Sequence, residues 1–481
     1  MTKLPSRELV GAYFCVMETS LTTSTPPAHL VKKYNVPVPR YTSYPTVPFW
    51  GNDLPAVPQW QEALLSTFSA SNQKEGISLY LHLPFCESLC TYCGCNKRIT
   101  KNHGVEPIYL KAVLQEWSKY LALFPEKPII REIHLGGGTP TFFSPENLQY
   151  LINGLLAQAE VHPAHEFSFE GHPNNTTARH LQALYDVGFR RVSYGVQDLS
   201  EKVQKAINRI QPLENLVQAT DLARQIGYTS VNYDLIYGLP FQTQESIEAT
   251  FRQVIGLKPD RIAYYSYAHV PWKEKSQRHY SDADLPSDSE KLALYTLGQA
   301  MLLEAGYEDV GMDHFAFPEE ELCVAQREGR LHRNFMGYTT NQTQLMIGLG
   351  VSSISDLYRG YLQNVKTVEE YYALLAMGEW PLFKGYLLSE TDVQMRRHIL
   401  DIACGGKTNW QNSPVAPLIQ EQVQPALQDL AADGLIELKE EQLALTTTGR
   451  RFLRSVCAAF DLYLKKGAGD ATAKPMFSKA V

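Results

Sequence analysis

From residue 77 onward the hydrophobic positions alternate between two periods. Short runs of period two, rich in β-branched and aromatic residues, lead into loops of Gly, Pro and polar residues. Segments with apolar residues three and four apart follow each loop. The short runs predict strands over 77–83, 129–135, 166–170, 190–194, 231–236 and 261–267. The longer segments predict helices over 107–123, 145–159, 213–226 and 244–255. Strands alternating with helices imply a parallel sheet with right-handed crossovers.

The loops after the six strands open with "CESLCTYCGC", "GGGTPT", "GHP", "GVQD", "YGLP" and "AHVP". Glycines, acids, an amide and cysteines therefore gather at the C-terminal ends of the strands, the end that carries chemistry in (β/α) barrels. The expected fold class is α/β, a partial, six-stranded TIM-like barrel. Ahead of it, "YNVPVPRYTSYPTVPF" has no helical period and predicts an ordered extended segment on the domain surface. Near Lys366 the alternation stops. The stretch "LAADGLIELKEEQLALTTTGRRFL" suggests a winged-helix-like unit in a mainly helical C-terminal domain. Winged shape alone is no evidence for DNA binding. The division expected is 1–60 as tail and covering segment, 61–365 as catalytic domain and 366–481 as C-terminal domain.

The chain has 481 residues and a formal charge of −7, with Lys and Arg spread along it, so nothing advertises nucleic acid or an anionic membrane. Its longest apolar runs, 80–85 and 345–351, fall far short of the about 20 residues of a membrane span. The N-terminus lacks a signal-peptide pattern, Met17 is an alternative start, and residues 18–29 read as a disordered lead-in. The tail "KKGAGDATAK" reads as mobile. Cys15, Cys323, Cys404 and Cys457 stand alone, which is not a disulfide framework and fits a reducing cytoplasm.

The other four cysteines, Cys86, Cys90, Cys93 and Cys95, crowd one loop. A structural zinc site would need a second knuckle, and a Cys90/Cys93 redox pair would leave two thiols idle. Inert thiols do not suit a polar loop. The CxxxCxxC spacing of Cys86, Cys90 and Cys93 instead supplies three thiolates for a four-iron, four-sulfur cluster and leaves one iron open. An open iron can bind the amino and carboxylate groups of S-adenosylmethionine and pass one electron to its sulfonium. Cys95 need not be a ligand but lies near enough to touch a bound cofactor. The "GGG" after the second strand lets backbone approach the methionine end closely. "GLGVSS" at 348–353 lacks the last Gly of a dinucleotide fingerprint.

This cysteine loop is the motif of the radical S-adenosylmethionine enzymes. With "PRYTSYPT", "HLGGGTPT", "RRVSYGVQD", "AINRIQ", "DLIYGLPFQT", "YAHVP" and "GMDHFAF", the chain resembles the oxygen-independent coproporphyrinogen III oxidases over nearly its whole length. The resemblance implies one cluster and two S-adenosylmethionine molecules. It places Tyr80 against the sulfonium, Tyr92 on the adenine, and Gly137, Gly138 and Thr139 along the first cofactor's methionine end. Glu170, Gln197, Arg209 and Asp234 would make polar contacts to the cofactors, and Ile236, Ala268 and Ile354 would form apolar wall. Taken without the family, Arg209 is an ordinary solvated helix charge, and Tyr80 an ordinary core residue.

The implied substrate is coproporphyrinogen III, a tetra-anion, for which Arg40 is the main candidate propionate contact. A donor such as flavodoxin or ferredoxin and a monomeric state are also expected. Two departures stand out: Gly171-His172-Pro173 where relatives often have "VDP", and Met336 where many have Gln. His172 alone reads as a surface-loop residue. A haem chaperone or a haem-modifying relative remains the alternative reading.

Overall fold

A computed structural model of the chain describes residues 27–467 and 477–479. Cys15, Met17, most of the expected lead-in and most of the polar tail lie outside the described residues. Twelve strands form one mixed sheet: β1 (Ile77–Leu83), β2 (Ile129–Gly137), β3 (Glu160–Gly171), β4 (Phe189–Gln197), β5 (Ser230–Tyr237), β6 (Arg261–Ser266), β7 (Glu308–Gly311), β8 (His314–Ala316), β9 (Met346–Leu349), β10 (Ile354–Asp356), β11 (Gly360–Asn364) and β12 (Leu382–Leu387). Their order is β12-β11-β10-β9-β1-β2-β3-β4-β5-β6-β8-β7.

The six expected strands lie side by side and parallel, in chain order. The sheet is nonetheless wider than six strands. β9 adds a seventh parallel strand beside β1, and antiparallel strands extend both edges. Beyond residue 365, β12 continues the same sheet by pairing with β11.

Local chemistry sets the helices between these strands. The helix Leu213–Ile226 stops at Gly227, whose φ of 112° is one that a side chain disfavours. Ser144 and Thr243 cap the helices Pro145–Leu156 and Gln244–Gly256 by accepting from the N–H groups of Asn147 and Ser246. The first of these ends three residues before the expected 159.

Period two then divides the strands. Leu79, Leu81, Ile133, Leu135, Phe167, Phe169, Val192, Val231, Tyr233 and Leu235 are buried in the main core. The residues between them carry the polar groups of the site. A second core joins the C-terminal helices to Leu30, Tyr41 and Tyr44 of the N-terminal arm. The arm is thus ordered on the domain, as its composition predicts: Arg454 donates to the carbonyls of Val38 and Pro39. After the helix Glu390–Gly405 come three short antiparallel strands, 407–409, 436–439 and 442–445, and the helix Gln424–Ala432. No described helix is long and apolar enough to cross a membrane.

Candidate active site

At the end of β1 the chain passes through Phe85 into the cysteine loop, which the glycine loop after β2 grips through backbone. Gly138 N–H donates to Leu83 O at 2.8 Å and Thr139 N–H to Phe85 O at 3.0 Å. Gly138 must be a glycine, because a Cβ there would fall 2.5 Å from the Pro84 carbonyl carbon. Gly137 has φ +109°, and its Cβ would fall 2.5 Å from His82 Cε1. The Thr139 hydroxyl donates to Cys86 Sγ at 3.3 Å. These contacts bring the two expected motifs together.

Cys86, Cys90 and Cys93 are partly buried and Cys95 is exposed, all as free thiols. Burial pushes Cys86 up to about 11. A hydrogen bond with Cys95 draws Cys93 down to about 6. Arg209, which its neighbours in sequence suggest is a solvated charge, is instead turned inward. Its Nη1 lies 3.7 Å from Cys90 Sγ, its Nη2 donates to Gly195 O at 2.6 Å, and its buried Nε has no partner. Gly195 leaves the room, since a Cβ there would fall 2.5 Å from Gln197 Nε2 and 3.0 Å from Arg209 Nη2. Gln197 itself is buried, with φ +66°.

The inward positions of the strands complete a polar floor. Tyr80 pairs in register with His134 on β2 and Gly348 on β9. Its ring stacks on His134 with centroids 6.1 Å apart, and its hydroxyl bonds His82 Nδ1 at 3.1 Å. Glu170 accepts from Gly137 N–H at 3.1 Å and lies 3.6 Å from His134 Nε2. Burial opposes its charge, but the hydrogen bond and charge of His134 outweigh that, so Glu170 stays below the usual carboxylate range. Asp234 accepts from Ser193 at 2.9 Å and Asn232 at 2.9 Å. Burial, reinforced by the charge of Glu170, raises it to about 6.

Apolar walls flank this floor. Tyr92 and Ile236 pack in one cluster with Tyr267, and Ala268 O accepts from Gln277, which also reaches Tyr92 O. On the other side, Ile354 packs on the cluster that holds Trp50 and Tyr361. Arg40 reaches the edge beyond β6, where it pairs with Asp313 at 2.8 Å and lies 5.4 Å from the Tyr265 ring centroid. Met336 sits in the turn after Asn334, its N–H bonded to Asn334 Oδ1. His172 is not a plain surface residue: it is half-buried, and burial together with the Arg209 charge lowers it to about 3.

His82, His134, Ser193 and Asn232 were absent from the sequence-based site. Their signal is alternation and register: His82 lies two residues from Tyr80 and Asn232 two from Asp234 on the same strands, while His134 pairs with Tyr80 and Ser193 with Glu170 across neighbouring strands.

The donor set suits an iron-sulfur cluster. It is all cysteine sulfur, and the guanidinium of Arg209 stands against it with an unsatisfied N–H. Among the described residues no three His, Cys, Asp or Glu side chains converge on a single ion. Cluster thiolates have no need to converge, because each takes its own iron.

A cysteine triad at the end of the first parallel strand, gripped by a triple glycine, defines a radical S-adenosylmethionine enzyme, and residues 80–254 match the Radical SAM superfamily. That class carries a four-iron, four-sulfur cluster and S-adenosylmethionine. The chain belongs to the oxygen-independent coproporphyrinogen III oxidase family. Its relative from Salmonella typhimurium is 39% identical over 91% of this chain and 96% of its own. The Synechocystis relative is 37% identical over 97% of this chain and 100% of its own. Both bear the family's name. The solved coproporphyrinogen III oxidase of Escherichia coli, described as a radical SAM enzyme, is 36% identical with a TM-score of 0.83, covering 92% of this chain and 100% of that one.

Proposed function

We propose that this chain converts two propionate side chains of coproporphyrinogen III to vinyl groups, releasing carbon dioxide and giving protoporphyrinogen IX. The observation that carries the reading is the Cys86/Cys90/Cys93 loop with Arg209 against Cys90 in a chain colinear with relatives of that name. When bound, the cluster and S-adenosylmethionine supply a carbon radical able to take hydrogen from an unactivated propionate carbon, which no side-chain base can deprotonate.

The protein's own residues bind and orient. Cys86, Cys90 and Cys93 hold the cluster, with Arg209 offsetting thiolate charge. Gly137, Gly138, Thr139 and Glu170 receive the methionine end of the first cofactor, Tyr80 lies along its sulfonium, and Tyr92 with Ile236 and Ala268 packs its adenine. Gln197, Asp234 and Ile354 contribute to the remaining contacts of two cofactor molecules. His172, held neutral, adds no charge beside Arg209. Arg40 takes a substrate propionate with the donors that Asp313 leaves free.

The central parallel strands act as the partial barrel, and residues 407–460 as a winged-helix-like unit without a nucleic-acid role. The three-part division at 60 and 365 accompanies this reading. The enzyme works as a cytoplasmic monomer with flavodoxin or ferredoxin as reductant.

The test is anaerobic: reconstituted enzyme with S-adenosylmethionine, reductant and coproporphyrinogen III, followed by tetrapyrrole mass and 5′-deoxyadenosine. Loss of two carboxyl groups, abolished in Cys93→Ala, is expected. A loaded cluster that leaves the tetrapyrrole intact overturns the reading in favour of a haem chaperone or a haem-modifying relative.

A further inference from the structure

We infer that the surface over the cysteine loop is the docking site of an acidic, low-potential electron-transfer protein, bound through cations of three separate segments. This rests on the radical reading above, which needs one electron per cofactor cleaved: the carrier is oxidised by one electron and the cluster reduced by one.

The three segments are 86–101, 201–208 and 272–279, and each holds the loop directly. Lys97 Nζ donates to Cys93 O at 2.8 Å and Cys95 O at 3.2 Å. Asn208 donates to Leu89 O at 2.8 Å, and Thr91 N–H to Ile207 O at 3.0 Å. Ser276 and Gln277 donate to the carbonyls of Thr91 and Tyr92 at 3.1 and 3.3 Å. Gly94 and Cys95, beside the ligand Cys93, are exposed, so a docked carrier has only a thin layer of protein to cross.

Charge selects the partner. These segments hold eight Lys or Arg against three Glu, in a chain whose formal charge is −7. Lys101, Lys202, Lys273, Lys275 and Arg278 are exposed and make no ion pair among the described residues. Trp272, 45% exposed, and Ile210, 53% exposed, offer apolar anchors within the cationic field. A concentration of one sign against the net charge of the molecule steers an oppositely charged protein and sets its orientation.

The probe is flavodoxin in its hydroquinone state, titrated calorimetrically into anaerobic holoenzyme and used in parallel to drive turnover. In the triple variant Lys273→Glu/Lys275→Glu/Arg278→Glu the dissociation constant and the rate at limiting flavodoxin should worsen about tenfold or more at low salt. Lys202→Glu/Lys205→Glu, on a different segment, should act in the same direction. Iron content, and any turnover driven by dithionite, should stay unchanged in both. Lys439→Glu, in the C-terminal domain, should bind flavodoxin like wild type. Unchanged binding in both multiple variants overturns the proposal, as does a wild type that does not bind flavodoxin. If dithionite drives no decarboxylation while binding responds to the charge reversals, the substrate reading falls and the docking surface stands.

Discussion

Gly137→Ala tests how tightly the glycine loop is bound to the strand beside it. Two costs add. A side chain at φ +109° lies outside the ordinary regions and costs about 1–3 kcal/mol. The new Cβ would also meet His82 at 2.5 Å from Cε1. The imidazole is pinned at both nitrogens, to Asn96 O at 2.8 Å and to the Tyr80 hydroxyl at 3.1 Å. Moving it forfeits one or both bonds, each about 0.5–1.5 kcal/mol. The sum is about 1.5–6 kcal/mol, to be set against the 5–15 kcal/mol that stabilises a typical protein.

Because Tyr80 shares His82, relaxation displaces the ring expected beside the sulfonium. The assay is the urea midpoint of the anaerobically purified protein, together with 5′-deoxyadenosine released without substrate. Gly256→Ala is the control, since a Cβ there meets nothing within 4 Å and its φ is unremarkable. Gly137→Ala should lower the midpoint clearly and suppress cofactor cleavage. A midpoint equal to that of Gly256→Ala, with normal cleavage, would refute the steric account.

Cys93→Ala should lose most reconstituted iron while Cys95→Ser retains it, measured as iron and sulfide per chain; equal loss in both would make Cys95 a ligand. Asp234 carries a folded-state pKa of about 6, above the ordinary 3.8, so the folded form holds its proton more tightly than the unfolded form does. Its effect on stability is therefore unfavourable above pH about 6 and fades as pH falls toward about 4. Asp234→Asn should flatten the decline in urea midpoint between those values, and an unaltered pH profile would count against the burial argument. Arg40→Ala should raise KM for the tetrapyrrole about tenfold or more, on the scale of a charge-assisted hydrogen bond, with iron content intact. Asp313→Asn, which releases Arg40 from its 2.8 Å pair, should lower KM; a rise would show that Asp313 is needed to orient the guanidinium.

Local pattern was enough for the elements that carry the site. β1 and the helix Leu213–Ile226 have their expected bounds, because an alternation of apolar residues or an amphipathic period with a glycine stop is a property of adjacent residues. The cysteine spacing was equally legible, since the thiols it groups lie within one loop. The short strands β7 to β11 were not, being three to five residues each and defined by partners far along the chain.

The same reason governs the contacts that local pattern leaves open. Arg209 turns from a solvated charge into a neighbour of Cys90 only when residues 119 apart are brought together. Arg40 meets Asp313 across 273 residues, and Arg454 holds the N-terminal arm across more than 400. By itself the sequence determined which faces of the strands would be apolar and which thiols would be grouped, because both are written at short range. Which charges are buried against those thiols, how far the sheet extends and what anchors the arm were decided by tertiary structure, where pairing between distant segments sets burial and so sets each group's charge.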